Sequence, residues 1–311
     1  MSSGRPIPLQ ALPGWEEEDH RAAFAALMAA CELGRDPGLS DVCDLARRID
    51  PPDEATARGF LERWLVALPV PGPGLLTAYF SPVFAAARVP GGDFTAPVRS
   101  PPDRNKAAAQ LDRASIEASA APHALAWMRP EDLFFLQIQG SGILVFSDGG
   151  WAQARFAGSN GAPYVAIGAA MRSEGLLAPG AASASDIHRW LADHRGPEAD
   201  RIMDLDPRYV YFRLTLGDAA PIGSAGAPLL SGRSLAVDTQ FHPLGELFWI
   251  DADGTEAEYR RVVVALDTGG AIRGPSRADL YLGRGAQAGV IAGRVRADLR
   301  LYQLAPADAT P

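Results

Sequence analysis

Between Ser234 and Leu304 the chain runs through short apolar segments, each separated from the next by glycine or polar residues. They read S-L-A-V ending at Asp238, then F-W-I, then R-V-V-V-A-L ending at Asp267, then R-A followed by Asp279 and L-Y-L-G. Runs of this length bounded by Gly and Pro read as short strands. Their recurrence at a spacing of roughly ten residues suggests a small barrel.

The other apolar patterns fill in the rest. Residues 15 to 70 read as helical: E-E-E-D at 16–19 suits a first turn, and Phe24, Leu27, Met28 and Cys31 follow at helical spacing. A second helix is expected from Ser40 and a third from Asp53, the latter with Ala55, Phe60, Leu61, Trp64 and Leu65 as its apolar residues. Pro69, Pro71, Gly72, Pro73 and Gly74 end the helical character, and 75–82 reads as a strand. The stretch 90–130 reads as loops with one helix. At 133–146 Leu136 and Ile138 alternate with Gln137 and Gln139, which predicts a hairpin turning at Gly140, Ser141 and Gly142. A strand from Trp151 into the Asn160–Gly161 turn, helices over 167–174 and 185–195, and a strand over 206–214 complete the reading.

Composition narrows the function. At 311 residues the chain has room for one large or two modest domains, and its 47% hydrophobic and 21% charged content is that of an ordinary folded protein. A net charge of −8 without clustered Lys and Arg argues against nucleic acid as a partner. No apolar run reaches the length of a membrane-spanning helix, and M-S-S-G-R-P-I-P lacks the charged and apolar parts of a secretory signal. Cys31 and Cys43 are either a disulfide pinning two helices or two buried thiols. Two cysteines and five scattered histidines offer no metal-ligand spacing.

Asp238, Asp267 and Asp279 are the candidate chemistry. Each adjoins an apolar strand, where a carboxylate costs desolvation energy unless it is hydrogen-bonded or used. Crowded acids raise the pKa of at least one member, the means by which a general acid stays protonated near neutral pH. The loop T-G-G-A-I-R-G, with Gly269, Gly270 and Arg273, brings backbone and one cation between two of them. The plainer reading is that strand-end aspartates cap turns, and three around one Gly-Gly loop tip the balance toward chemistry. Gln137, Gln139, Gly140 and Ser141 resemble the polar row of a sugar-binding groove, against the plainer reading of an exposed sheet face. Tyr79 and Tyr164, each beside a turn, are the aromatic residues best placed to stack on a sugar ring.

At these residues the chain resembles the membrane-bound lytic transglycosylase A (MltA) family of murein-degrading enzymes. The motifs are T-A-Y-F-S-P, F-F-L-Q-I-Q-G-S-G, S-N-G-x-P-Y-x-x-I-G, D-P-x-Y-V-Y-F, G-R-S-L-A-V-D, P-L-G and D-T-G-G-A-I-R-G-x-x-R-A-D, spread over 75–305. The resemblance implies a mainly β protein with N-terminal helices. Its three-aspartate domain would be a double-psi β-barrel formed by 1–83 and 213–311. An inserted, β-barrel-like second domain at 84–212 would stand across a groove. It implies that Asp279 is the single catalytic acid, that Asp267 and Asp238 support it, and that Tyr79, Asn160, Tyr164 and the glutamine segment line the groove. It further implies peptidoglycan glycan strands as substrate, other cell-wall enzymes as partners, a monomer, no cofactor and no metal. The location would be periplasmic with outer-membrane association, although no signal or lipid anchor occurs in these residues. Arg273 stands where members often carry Lys, which keeps the charge but changes its geometry. The runner-up is a glycoside hydrolase using two aspartates, and the third reading is a non-catalytic, expansin-like murein-binding module.

Overall fold

The computed structural model describes residues 5–102, 111–178, 183–217, 221–254 and 258–307. They fall into two compact units. One holds the described residues up to Ser81 with those from Pro221 onward, and the other runs from Pro82 to Gly217.

In the first unit six strands close a barrel: β3 (Gly74–Ser81), β13 (Arg277–Arg284), β10 (Ser234–Val237), β12 (Glu258–Asp267), β11 (Leu247–Asp253) and β14 (Arg296–Pro306). Pairing of β14 back onto β3 closes the ring. The β10–β12 and β13–β3 pairs are parallel and the others antiparallel. The mainly β architecture and its closed barrel are those expected. Two short strands, β1 (Ile7–Pro8) and β2 (Leu65–Pro69), extend the sheet from β14.

Burial on both faces explains the unbroken apolar runs. Phe248, Ile250, Val263 and Ala265 point into the barrel with Leu76, Leu235 and Leu280. Their neighbours Leu247, Trp249, Val262 and Val264 point outward and are covered by Trp15, Phe24, Leu27 and Leu61 from the N-terminal segment. Each such side chain, fully withdrawn from water, stabilises the fold by roughly 1.5–3 kcal/mol. The covering helices are α1 (His20–Leu33), α2 (Ser40–Ala46) and α3 (Glu54–Trp64). Asp19 and Asp53 cap α1 and α3 by accepting from the amides of Ala22 and Thr56. Glu18, buried, binds the Val262 amide and Arg233, which fixes the start of this layer to the barrel. Cys31 and Cys43 form a disulfide that joins α1 to α2.

Two expectations for this region change. The acidic run at 16–19 does not open a helix: Trp15–Glu17 forms a 3-10 turn, and only Asp19 caps. The third helix ends at Trp64, and Leu65 begins β2, because L-V-A-L alternates buried and half-buried positions and pairs with β14.

The second unit holds a four-stranded sheet of β4 (Val83–Ala86), β7 (Ser141–Phe146), β8 (Trp151–Ser159) and β9 (Val210–Leu216), in that order. A two-stranded ribbon pairs β5 (Ala96–Val98) with β6 (Ala126–Met128). Among the described residues five α-helices accompany them: α4 (Arg113–Glu117), α5 (Pro130–Gln139), α6 (Gly168–Ser173), α7 (Ala184–Asp193) and α8 (Pro197–Met203). The expected barrel-like insert is thus, over its described residues, an open sheet with helical cover. Of the helices expected in order, α6 matches 167–174, and the helix expected over 185–195 is α7, capped by Ser183 with Asp186 completing a capping box.

The main correction concerns 133–146. Pro130 at the first turn, Glu131 and Asp132 after it, and Gly140 as a left-handed C-cap (φ 78°) make Pro130–Gln139 a helix; only Ser141–Phe146 is a strand. Leu133, Leu136 and Gln137 are buried together at helical spacing, which the alternation of leucine and glutamine concealed. A further helix, α9 (Gly285–Ala292), follows β13 in the first unit, within the stretch read as short strands.

Candidate active site

The three aspartates belong to the barrel unit, and their surroundings differ. Asp279 pairs in register with Ala236 on one side and Thr77 on the other. Thr77 and Tyr79 lie two residues apart on β3, so their side chains share one face of the strand. The Thr77 hydroxyl donates to Asp279 Oδ1, and Arg277 Nη2 donates to Thr77 Oγ1 at 2.8 Å. The Tyr79 hydroxyl donates to Asp267 Oδ2 at 2.9 Å. One strand therefore reaches two of the three carboxylates.

Asp267 is the most heavily bonded. Besides Tyr79, its Oδ1 accepts from Ser224 N at 3.0 Å, Ser224 Oγ at 2.6 Å and Thr268 N at 3.0 Å. Asp238, 1% exposed, accepts from Gly274 N at 2.8 Å and Gln240 N at 3.1 Å, with Arg273 Nη1 3.7 Å away. Gly274 can turn its amide onto Asp238 because it adopts φ 103°, a conformation costly to residues with a Cβ. These backbone N–H groups hold the Asp238 carboxyl below the ordinary aspartate value, helped by the Arg273 and His242 charges.

Asp279 goes the other way. Among the described residues Thr77 is the one donor to its carboxyl. Burial raises its pKa; the Thr77 hydrogen bond and the Arg277 charge oppose the rise, and the Asp267 carboxylate adds to it. The Asp279 and Asp238 carboxyls are thus shifted in opposite directions. Burial also raises the Tyr79 hydroxyl far above its usual value, reinforced by Asp267, so Tyr79 stays a donor.

The loop between Asp267 and Asp279 turns at Gly269, where Ile272 N bonds Gly269 O at 3.0 Å and the Ile272 side chain is buried. Gly270 and Arg273 are exposed, Arg273 with 61% of its side chain in solvent.

The predicted residues of the second unit divide into two kinds. Gln137 is 5% exposed: its Oε1 accepts from Arg113 Nη1 at 2.5 Å and its Nε2 lies 3.5 Å from Val210 O. Asn160 is equally committed, donating to Leu111 O and Pro207 O and accepting from the amides of Ala162 and Tyr209. Both are core supports and not groove-lining residues as expected. Gln139, Ser141 and Tyr164 are exposed, and Gly140 is half-buried at its helix end.

Comparison with known proteins now adds the relationship. The family model described as the MltA specific insert domain matches 75–213, and that described as the 3D domain matches 233–305. Membrane-bound lytic murein transglycosylase A of Vibrio cholerae is 32% identical over 247 residues, which cover 74% of this chain and 65% of that protein. The solved structure of the lytic transglycosylase LtgG of Burkholderia pseudomallei is 32% identical and superposes with a TM-score of 0.77, covering 99% of this chain and 97% of that one. The chain belongs to the MltA family. Escherichia coli MltA with bound chitohexaose is similar at 25% identity, with a TM-score of 0.72 over 98% of this chain and 92% of that one.

Within this MltA-family chain the geometry adds residues that the sequence reading did not single out: Thr77, Ser224, Arg277 and His242. Thr77 and Arg277 had a usable signal, each standing two positions from a residue already chosen (Tyr79 and Asp279) on an alternating strand. Ser224 had none: it reaches Asp267 from 43 residues away in sequence.

Proposed function

We propose that this protein is a lytic transglycosylase that cleaves the β-1,4 bond between N-acetylmuramic acid and N-acetylglucosamine in peptidoglycan, with Asp279 as its single acid and base. Support comes from the family relationship, from relatives named lytic murein transglycosylases and from the MltA structure named with bound chitohexaose. The observation that carries the mechanism is the inequality of the carboxylates: four donors on Asp267, two backbone N–H groups and Arg273 on Asp238, and one hydroxyl on Asp279.

Protonated Asp279 donates to the glycosidic oxygen, and the bond to the muramyl C1 breaks with oxocarbenium character. The resulting carboxylate then takes the proton of the muramyl 6-hydroxyl while O6 bonds to C1. The products are a 1,6-anhydromuramyl end and a free 4-hydroxyl on N-acetylglucosamine, and Asp279 is protonated again. Thr77 occupies Oδ1 throughout, which directs the proton to Oδ2. Burial and the Asp267 charge raise the Asp279 pKa, which favours the acid form, while the Thr77 hydrogen bond and the Arg277 charge limit the rise and favour the conjugate base needed for the second step. Arg273 and the exposed amides around Gly270 are proposed to meet the sugar, as are Gln139, Ser141 and Tyr164 of the second unit. An envelope location follows from the relatives' description as membrane-bound. Among the described residues no helix is long and apolar enough to cross a membrane.

The test is digestion of purified peptidoglycan with mass analysis of the new ends. Anhydromuramyl ends, lost in Asp279→Asn while sedimentation with peptidoglycan persists, are the expected result. Reducing ends would mean hydrolysis, and intact strands would mean a binding module. Either outcome overturns the proposal.

A further inference from the structure

The mechanism leaves a buried titratable histidine beside the site unused. His242 is 7% exposed and follows Asp238 in a tight turn, its amide bonded to Asp238 O at 3.0 Å. Its Nε2 lies 2.7 Å from Pro275 O and its Nδ1 lies 3.1 Å from Glu246 Oε2. A carbonyl and a carboxylate both accept only, so the two contacts together require N–H on both ring nitrogens, which is imidazolium. Glu246 is anchored from behind by Gln303 Nε2 at 3.0 Å, and the Phe248 ring meets the imidazole edge-on at 4.9 Å.

The carbonyl that His242 holds belongs to the residue after Gly274, whose amide binds Asp238. Asp238 and His242 thus grip consecutive residues of the loop between Asp267 and Asp279, just where β13 begins two residues before Asp279. We propose that His242, as an imidazolium bridging Glu246 and Pro275, is a positioning residue that holds the Gly269–Gly274 loop and the start of β13 in the register the reaction needs, and that its deprotonation as pH rises releases the loop. The bearing on turnover rests on the transglycosylase reading; the grip on the loop does not.

The electrostatics agree with the geometry. Burial pulls the His242 pKa down, yet the hydrogen bonds to Glu246 and Pro275 and the Glu246 and Asp238 charges outweigh it, and the value is raised from 6.5. The charged groups around it are Glu246 and Asp238 on its own turn and Arg273 on the facing loop, whose guanidinium points to Asp238. From the barrel, β11 presents Phe248 and β14 presents Gln303, both uncharged. Because the folded pKa is the higher one, the bridge is complete below the ordinary imidazole value and is lost as pH rises through the raised value.

The experiment follows the His242 ring by NMR titration and exchange of the loop amides, alongside kcat and KM against pH on peptidoglycan fragments. It uses the wild type, Glu246→Gln, His242→Gln and His242→Ala. The expected results are a His242 titration above 6.5 that falls in Glu246→Gln, with loop amides that exchange faster above it. His242→Ala should lose roughly ten- to a hundredfold in kcat with KM little changed, as displacement of a catalytic group does. His242→Gln, whose amide still donates to Pro275 O, should recover much of that rate without the His242-linked alkaline limb. Titration at or below 6.5, loop exchange indifferent to it, or an alkaline limb unchanged in both Glu246→Gln and His242→Gln would overturn the inference. Should His242→Ala fail to fold, Glu246→Gln and His242→Gln still decide it. A wild type that leaves peptidoglycan uncut, with loop exchange still following the His242 titration, would refute the transglycosylase reading and leave the grip standing.

Discussion

In the second unit Arg113, Gln137, Asn160 and Asp206 satisfy one another and the backbone around them; at the barrel-borne aspartates the hydrogen bonds are shared out unequally. Arg113, 1% exposed, donates to Gln137 and Glu117 side chains and to the carbonyls of Asp206 and Arg208, and lies over the Phe134 ring. Asp206 accepts from the amides of Val165 and Arg208. Each of these groups has been fully compensated for leaving water, which is how a polar cluster specifies a fold. Asp279 has one donor and a raised pKa in a half-buried place. That deficit costs stability, and in the proposed mechanism it supplies the acid. The difference separates Asp279 from the compensated polar residues of both units, Asp267 and Asp238 included, although sequence makes all of them look like candidates.

The sharpest way to break this contrast is Asp279→Asn. Removing the proton donor should lower turnover by on the order of a thousandfold. The same change should raise the melting temperature at neutral pH. A carboxyl whose folded pKa is raised gives stability present below the unfolded value and lost as pH rises through the folded one, so an uncharged Asn removes that penalty. A lower melting temperature at pH 7 would mean that Asp279 is a structural residue.

Arg113→Ala should do the opposite, destabilising the protein by about 3–5 kcal/mol because it leaves buried carboxyl and carbonyl groups unpaired. Chemical denaturation measures the loss, and at temperatures where the variant is folded the product ends should be those of the wild type. Next in size is Tyr79→Phe. It takes one donor of four from Asp267 and should slow turnover about tenfold, the worth of one hydrogen bond to a charged group. An unchanged rate would remove Tyr79 from the site.

The smallest effects come from two neighbouring glutamines. Gln137→Ala should cost about 1–3 kcal/mol by stranding Arg113. Gln139→Ala, on the exposed end of the same helix, should change stability by no more than about 0.5 kcal/mol. Equal melting temperatures for the two would contradict the burial difference.

Much of this could be read from the chain alone. The strand runs around Asp238, Asp267 and Asp279, the helix from Asp53 and the turn at Asn160 are local patterns, and local sequence writes them. The helix at 130–139 was legible in principle from Pro130, Glu131, Asp132 and Gly140, but a two-residue alternation over four positions fits a strand equally well. Asn160 could be read as a turn or a ligand residue, since Asn serves both with the same amide, and its amide is bonded to the backbone around it. Nothing in spacing told Gln137 from Gln139; Arg113, 24 residues earlier, makes the difference.

What the sequence determined by itself is therefore the apolar rhythm of the barrel, the family, the covering helices and the identity of three acids beside a glycine-rich loop. Only the tertiary structure decided that the acids are unequal, that Cys31 meets Cys43, and that His242 grips the loop they share. The physical reason is that a carboxyl's proton affinity depends on its solvent and its donors, and those come from far along the chain. Thr77 reaches Asp279 across 202 positions and Tyr79 reaches Asp267 across 188, separations that no local pattern encodes.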